Sequence, residues 1–426
     1  MNKARVVSIN MGYGHQRTAF ALKSLALEGK IVNANDYPGM PEVDRVIWER
    51  TRKFYEFIAS FKKTPLIGNF AFSVFDAFQK IFSFYPKKNL SKPNFTLKNI
   101  YSLLKKGWGK DLVGRLSGKP IPLITTFFTP AFMAEFFNYP SEIFCVICDA
   151  DISRTWAPLK PRESKIKYFA PTERVAERLK QYNVKPENIF LTGYPLPLEN
   201  IGGIKLEILK KDLNHRILNL DPRKKYFKNY KVLVEKKLGK LPKTPDHPLT
   251  IMFAVGGAGA QKEIGIEIVK SLVEKIKSGK IKIILVAGIK KKVNEYFKNA
   301  LKELGLENEL KKNIEIIFTK EIKDYFQNFN QALRKTDILW TKPSELSFYS
   351  ALGLPIIIAP PIGSQEEFNM RWLLKSGFGI LQENPAYTNE WLFDWTENGY
   401  LAEFAMQGFI EGERLGTYNI KKICRG

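Results

Sequence analysis

Two glycine-rich turns carry the residues best placed for chemistry. The first is Gly12-Tyr13-Gly14-His15, between an apolar run (Val6 to Asn10) and a helical pattern (Arg17 to Leu27). A Gly-x-Gly turn lets backbone N–H groups approach a ligand, and the helix start favours an anion there. Arg17 stands where a dinucleotide fingerprint has its third glycine, so that fingerprint is incomplete. His15 reads equally as a general base at the mouth of a sheet or as a capping and packing residue. The second turn, Gly256-Gly257-Ala258-Gly259-Ala260-Gln261, follows the apolar run Leu249 to Val255 and precedes a helix to Ile276. It is the stronger phosphate signal, and it lacks the lysine of an NTP-hydrolysing loop.

These turns need sheets to hold them. Asp337 to Phe378 reads as strand, loop, helix, strand, loop, helix. Leu354 to Ala359 is apolar and rich in β-branched residues, as suits a strand covered on both faces. Pro360, Pro361 and Gly363 end it, and Ser364 with Glu367 matches a capping box. The loops Lys342 to Ser347 and Ile362 to Asn369 then fall at the carboxyl ends of neighbouring parallel strands, the ligand edge of an open α/β sheet. Residues 3 to 37 read as β-α-β, and 121 to 197 return to the same alternation. The expected architecture is α/β, two Rossmann-like parallel-sheet domains facing a cleft. Residues 1–197 form the first, 198–248 a connector and 249–388 the second. Residues 389–426 are C-terminal helices that could cross back to the first domain.

Composition narrows the classes. A chain of 426 residues is too long for one ordinary core. Three cysteines fit a reducing compartment. Cys145 and Cys148 form a C-x-x-C inside an apolar run, where buried packing is expected rather than redox chemistry. Three histidines make a histidine-rich metal site improbable, and no metal ligand is assigned. No leader-like segment and no run of about 18 uncharged apolar residues is found. A net charge of +24 calls for an anionic partner.

Residues 45–120 hold sixteen Lys/Arg against four Asp/Glu, half of that charge. Ile47, Phe54, Ile58 and Phe61 share one helical face. Ile67, Val74, Phe78, Ile81 and Tyr85 share another, beyond Pro65. Phe57, Phe72 and Phe84 lie off these stripes among lysines, a pattern that suits an interfacial helix on an anionic bilayer. No nucleic-acid-binding module is recognised, and none is expected.

The motifs resemble those of GT-B glycosyltransferases. The nearest groups are the monogalactosyldiacylglycerol synthases and processive diacylglycerol glucosyltransferases. More distant is the N-acetylglucosaminyl transferase of peptidoglycan lipid synthesis. The matches run in order: Gly12 to His15; Ile147-Cys148-Asp149 followed by Trp156; Thr192-Gly193-Tyr194-Pro195; the loop at Gly256; Thr341-Lys342-Pro343; Gly353-Leu354-Pro355; and Gly363-Ser364-Gln365-Glu366-Glu367-x-Asn369. The resemblance implies a nucleoside-diphosphate sugar, UDP by preference, as a substrate rather than a cofactor. The glycine loop with Gly256, Gly257, Gly259 and Gln261 would lie by the diphosphate, and Lys342 belongs to the nucleotide-side motifs. Ser364, Gln365, Glu366 and Asn369 would lie toward ribose and sugar. Gly12 and Gly14 would open the other wall, with His15 as base or acceptor support and Asp149 as the second catalytic residue. The acceptor would be a lipid, and the protein a cytoplasmic one held peripherally on the membrane.

Two positions depart from the pattern. The family opens the helix after Lys-Pro with glycines and carries a ribose-binding glutamate. Here the chain reads Ser344-Glu345-Leu346-Ser347 with Ser350 at the glutamate position, leaving Glu345 as a candidate contact. The family's His-Pro is Thr129-Pro130. The competing expectations are a non-catalytic GT-B scaffold at an anionic membrane and a nucleotide-sugar 2-epimerase, whose chemistry asks for more cleft histidines and carboxylates.

Overall fold

The structure is a computed structural model and describes residues 3–61, 81–256 and 259–424. The chain divides into two compact units. Unit 1 holds Met1–Pro195, Ile362–Asn369 and Leu415–Gly426; unit 2 holds Leu196–Pro361 and Met370–Arg414.

Unit 1 is built on six parallel strands: β1 Ala4–Ser8, β2 Ala26–Asn33, β3 Leu123–Thr125, β4 Ile143–Val146, β5 Lys167–Ala170 and β6 Ile189–Leu191. Their order is β2-β1-β3-β4-β5-β6, so the direction of winding reverses between β1 and β3. Unit 2 is a second six-stranded parallel sheet: β7 Leu249–Ala254, β8 Ile281–Gly288, β9 Ile314–Phe318, β10 Ile338–Thr341, β11 Ile356–Ile358 and β12 Gly379–Leu381. Its order, β12-β11-β10-β7-β8-β9, reverses between β7 and β10. Ligands of open α/β sheets bind at such reversals, outside the carboxyl ends of the strands.

All of β7, β10 and β11 is buried. Crossover helices cover both faces, which is why these strands read as unbroken apolar runs. Each fully buried Ile or Leu contributes roughly 1.5–3 kcal/mol. In unit 1 the core is completed from the far end of the sequence. Ile420 and Cys424, on and just past the helix Gly416–Ile423, pack with Ala4, Leu22, Ile124, Phe144 and Phe169.

Several elements differ from expectation. The first helix runs Tyr13–Ala21, starting four residues earlier and ending sooner than its apolar pattern suggests. Gly14 and His15 therefore lie in its first turn, and β2 begins at Ala26. The supposed connector holds two full helices, Glu207–Leu220 and Lys225–Leu238, inside unit 2. Arg216 on the first of them is buried. It donates to the carbonyls of Thr336 (2.8 Å), Leu352 (2.7 Å) and Gly353 (3.2 Å), where a cation offsets unpaired helix-end carbonyls. The helix after Gly363 starts at Ser364 itself. Glu366 reaches back over its start, accepting from the Ile362 N–H at 2.6 Å; the expected cap at Ser364 lies outside the described side chains.

The helical stripe through Ile81 and Tyr85 does not form, because residues 81–90 carry no helix. Phe84, expected as a free interfacial aromatic, is buried with the Arg174 guanidinium 4.1 Å and that of Arg178 5.1 Å from its ring. Those arginines also hold Asp151: Arg174 Nε donates at 2.8 Å, and Arg178 donates at 2.8 and 2.9 Å. Phe57 lies on the helix Glu42–Phe61, but its side chain, like Ile67, Phe72, Val74 and Phe78, falls outside what is described. Among the described residues no helix is long and apolar enough to cross a membrane.

Candidate functional site

A polar side chain with functional potential reaches across each reversal. In unit 1 it is His15. Its Nδ1 lies 2.8 Å from the Thr126 carbonyl oxygen, just past β3, while Thr126 Oγ1 donates back to the His15 carbonyl at 3.0 Å. A carbonyl oxygen only accepts, so Nδ1 carries the proton and Nε2 keeps its lone pair. The ring sits edge-on to Phe127 (centroids 4.9 Å apart), with Trp156 at 6.2 Å. Burial in this apolar collar lowers the imidazole pKa to about 4, and the bond to Thr126 offsets only part of that. At neutral pH His15 is a neutral base with one open nitrogen.

The helix bearing His15 is fixed from behind. Thr18 Oγ1 donates to the Gly14 carbonyl (2.7 Å) and pairs with the buried Tyr194 hydroxyl at 3.0 Å. The Thr192 carbonyl accepts from Asn419 Nδ2 at 2.8 Å. The Thr-Gly-Tyr-Pro motif thus positions His15 through its tyrosine. Cys148 was read as a small buried hydrophobe. It is buried, but its Sγ lies 3.3 Å from His15 Nδ1. No local pattern announces that contact, since 133 residues separate the pair.

Asp149 follows β4 and is partly exposed, in contrast to the arginine-locked Asp151. Asn369, in the segment grouped with unit 1, engages it: Asn369 Nδ2 donates to Asp149 Oδ1 at 3.2 Å, and its Oδ1 accepts from the Ala150 N–H at 2.8 Å. Asn369 is buried and both ends of its amide are occupied here. Gln365 and Glu366 lie in the same helical turn, half-buried.

In unit 2 the bridging side chain is Lys342, after β10. It lies across Gly256 so closely that a Cβ on Gly256 would stand 2.3 Å from Lys342 Cε. A side chain at 256 would displace the lysine. Gly259 is in the left-handed region at φ +69°, with Val293 Cγ2 2.8 Å from where a Cβ would be. Gln261 Nε2 donates to the Pro360 carbonyl at 2.7 Å, tying the glycine turn to the loop after β11. Helix Lys262–Ser271 starts beside them. An ammonium, a glycine turn and a helix N-terminus on one strand edge make a cradle for a phosphate-bearing ligand. Gly257 lies outside the described residues.

Ser350, which stands where the sequence resemblance leads one to expect a glutamate, is sealed: it is fully buried and its hydroxyl donates to the Ser347 carbonyl at 2.8 Å. Glu345 begins the 3-10 helix Glu345–Leu352 and is also buried. His247 carries no signal in the sequence reading. It sits beside Asp246 and 3.2 Å from the buried Asp337, which also accepts from the Thr250 N–H. Burial pulls its pKa down, but the bond and charge of Asp337, with Asp246, more than offset this and raise it.

Comparison with known proteins comes to the same class. The chain is 23% identical over 318 residues to the processive diacylglycerol beta-glucosyltransferase of Bacillus subtilis, covering 73% of this chain and 68% of that one. It is 24% identical over 392 residues to the Bacillus pumilus protein of that name, covering 89% and 82%. A solved Listeria monocytogenes structure named as a UDP-N-acetylglucosamine 2-epimerase superposes with a TM-score of 0.51 at 15% identity, covering 99% of this chain and 95% of that one. Residues 235–314 match a domain of unknown function (DUF6938). The fold is therefore the GT-B pairing of two Rossmann-like units. In sequence, the resemblance to the diacylglycerol glucosyltransferases extends over most of the chain.

Proposed function

We propose that the chain is a glycosyltransferase that moves a sugar from a UDP-sugar to a lipid acceptor. The observation that carries this reading is the neutral His15 imidazole, held by Thr126 with Nε2 unprotonated at the unit 1 reversal. An acceptor hydroxyl needs such a group as it attacks the anomeric carbon, and a base this weak takes the proton late, as the new bond forms. The leaving diphosphate is negatively charged. The Lys342 ammonium and the N-terminus of helix Lys262–Ser271 supply the opposing charge. Inversion at the anomeric carbon follows from direct displacement by the acceptor.

The lipid acceptor is supported by the names of the relatives and by the unit 1 surface. Tyr85 is 67% exposed and Phe95 62%, with Phe82 also exposed, and Lys87, Lys88, Lys92 and Lys98 stand along the same segments. Exposed rings among lysines suit an anionic bilayer surface, so the protein works as a peripheral membrane enzyme.

The test is a titration of the protein with UDP, GDP, TDP and CDP and their sugars, followed by thermal melting, then transfer to diacylglycerol in phosphatidylglycerol vesicles. Stabilisation by one nucleotide is expected, with radiolabel from its sugar appearing in lipid. Binding without transfer to any lipid would return the chain to the non-catalytic scaffold reading. Release of the 2-epimer without a lipid product would select the epimerase.

A further inference from the structure

The helix Lys225–Leu238 of unit 2 turns Tyr226, Val234 and Leu238 inward. Its outward face is unusual. Lys225 and Lys228 lie before a kink at Tyr230 and Val232 and Lys236 after it; all four are exposed, Val232 at 81%, and Lys225 Nζ also donates to Asn398 Oδ1 at 2.5 Å. Lys224, Lys231 and Lys237 flank them, also exposed, and Glu235 is the single acidic residue between Arg223 and Leu238. At Tyr230 the backbone leaves helical geometry (φ −119°, ψ 22°), and that ring, 46% exposed, lies 4.8 Å from Tyr226. A merely solvated helix gains nothing from valine at its most exposed position, where a polar or straight-chain residue is the better helix former.

We propose that this face docks on an anionic lipid bilayer, with the lysines at the headgroup phosphates and Val232 and Tyr230 in the interface. The apolar centre decides for a bilayer over nucleic acid: a valine ringed by lysines finds hydrocarbon below lipid headgroups and none along a phosphate backbone. The proposal gives unit 2 a bilayer affinity of its own. It rests on the lipid-acceptor reading only for the choice of partner.

The full chain is floated with vesicles of phosphatidylglycerol and phosphatidylcholine, and with phosphatidylcholine alone, over a salt series. Lys225→Glu, Lys228→Glu and Lys236→Glu together should lower partition onto the anionic vesicles by on the order of tenfold or more. Val232→Asp alone should lower it severalfold. Neither variant should alter the thermal shift with UDP, which also reports that unit 2 is folded. The milder Lys→Gln set should fall between wild type and the reversal. A triple variant that floats like wild type overturns the proposal, as does one that loses retention of duplex DNA while keeping vesicle binding. If wild type transfers no sugar but the triple variant still loses vesicle binding, the docking face stands and the glycosyltransferase reading fails.

Discussion

Each unit is a six-stranded parallel sheet with one reversal, two strands from an edge in unit 1 and midway across in unit 2, and they differ in what they place there. In unit 1 the bridging side chain is an imidazole stripped of charge by an aromatic collar. In unit 2 it is an ammonium lying on glycine. The backbone frame is nearly the same: parallel strands, a turn and a helix start on one side of the reversal, a strand end on the other. What differs is the lining. Phe127 and Trp156 crowd one site, and Gly256 and Gly259 clear the other. The comparison teaches that the sheet supplies the place while the side chains around it decide whether that place accepts a proton or an anion.

The comparison can be broken first at His15. His15→Ala should lower turnover by about 10²-fold or more while leaving the UDP-induced thermal shift unchanged. Unchanged turnover would remove the imidazole from the chemistry. Lys342→Ala should do the reverse, weakening UDP binding roughly tenfold or more through loss of a charge-assisted contact. Equal UDP affinity in calorimetry would show that the ammonium serves packing alone. Gly259→Ala should cost about 1–2 kcal/mol for the left-handed backbone, with more for the contact at Val293. A urea midpoint equal to wild type would count against that strain.

The smallest effect sharpens the contrast through pH. His15 has a folded pKa near 4 against an unfolded value near 6.5, so the unfolded chain binds its proton first. Its share of stability is intact above pH 6.5 and is lost as pH falls toward 4. His247 is shifted the other way: its share is intact below about 6.5 and is lost as pH rises through its raised pKa. His15→Gln should therefore flatten the acid side of the stability profile, and His247→Gln the neutral-to-alkaline side. Identical profiles for both variants would erase the distinction.

Much of the frame could be read from residues alone. Leu354 to Ala359 and Leu249 to Val255 announce covered strands because a parallel strand buried on both faces has no polar alternation to blur it. The glycine turns are legible because close approach and positive φ admit few other residues. The surroundings of His15 are not, since Thr126 and Cys148 lie more than 100 residues away in sequence. In residues 198–248 the sequence signals a connector with helix, and lysines diluting the buried stripes of Glu207–Leu220 and Lys225–Leu238 hide that two full helices belong to unit 2. Phe84 was misjudged because two arginines far along the chain cover it.

The helix Gly416–Ile423 has a consequence for how the protein is made. Unit 1 holds β1, yet its core also contains Ile420 and Cys424, which are synthesised after the whole of unit 2. A chain is commonly expected to settle its N-terminal domain during synthesis. Here Phe144 and Phe169 lack part of their cover until Ile420 and Cys424 emerge. While unit 2 is being made the nascent sheet of unit 1 carries an open apolar side, and unit 2, which runs to Arg414, can close before it.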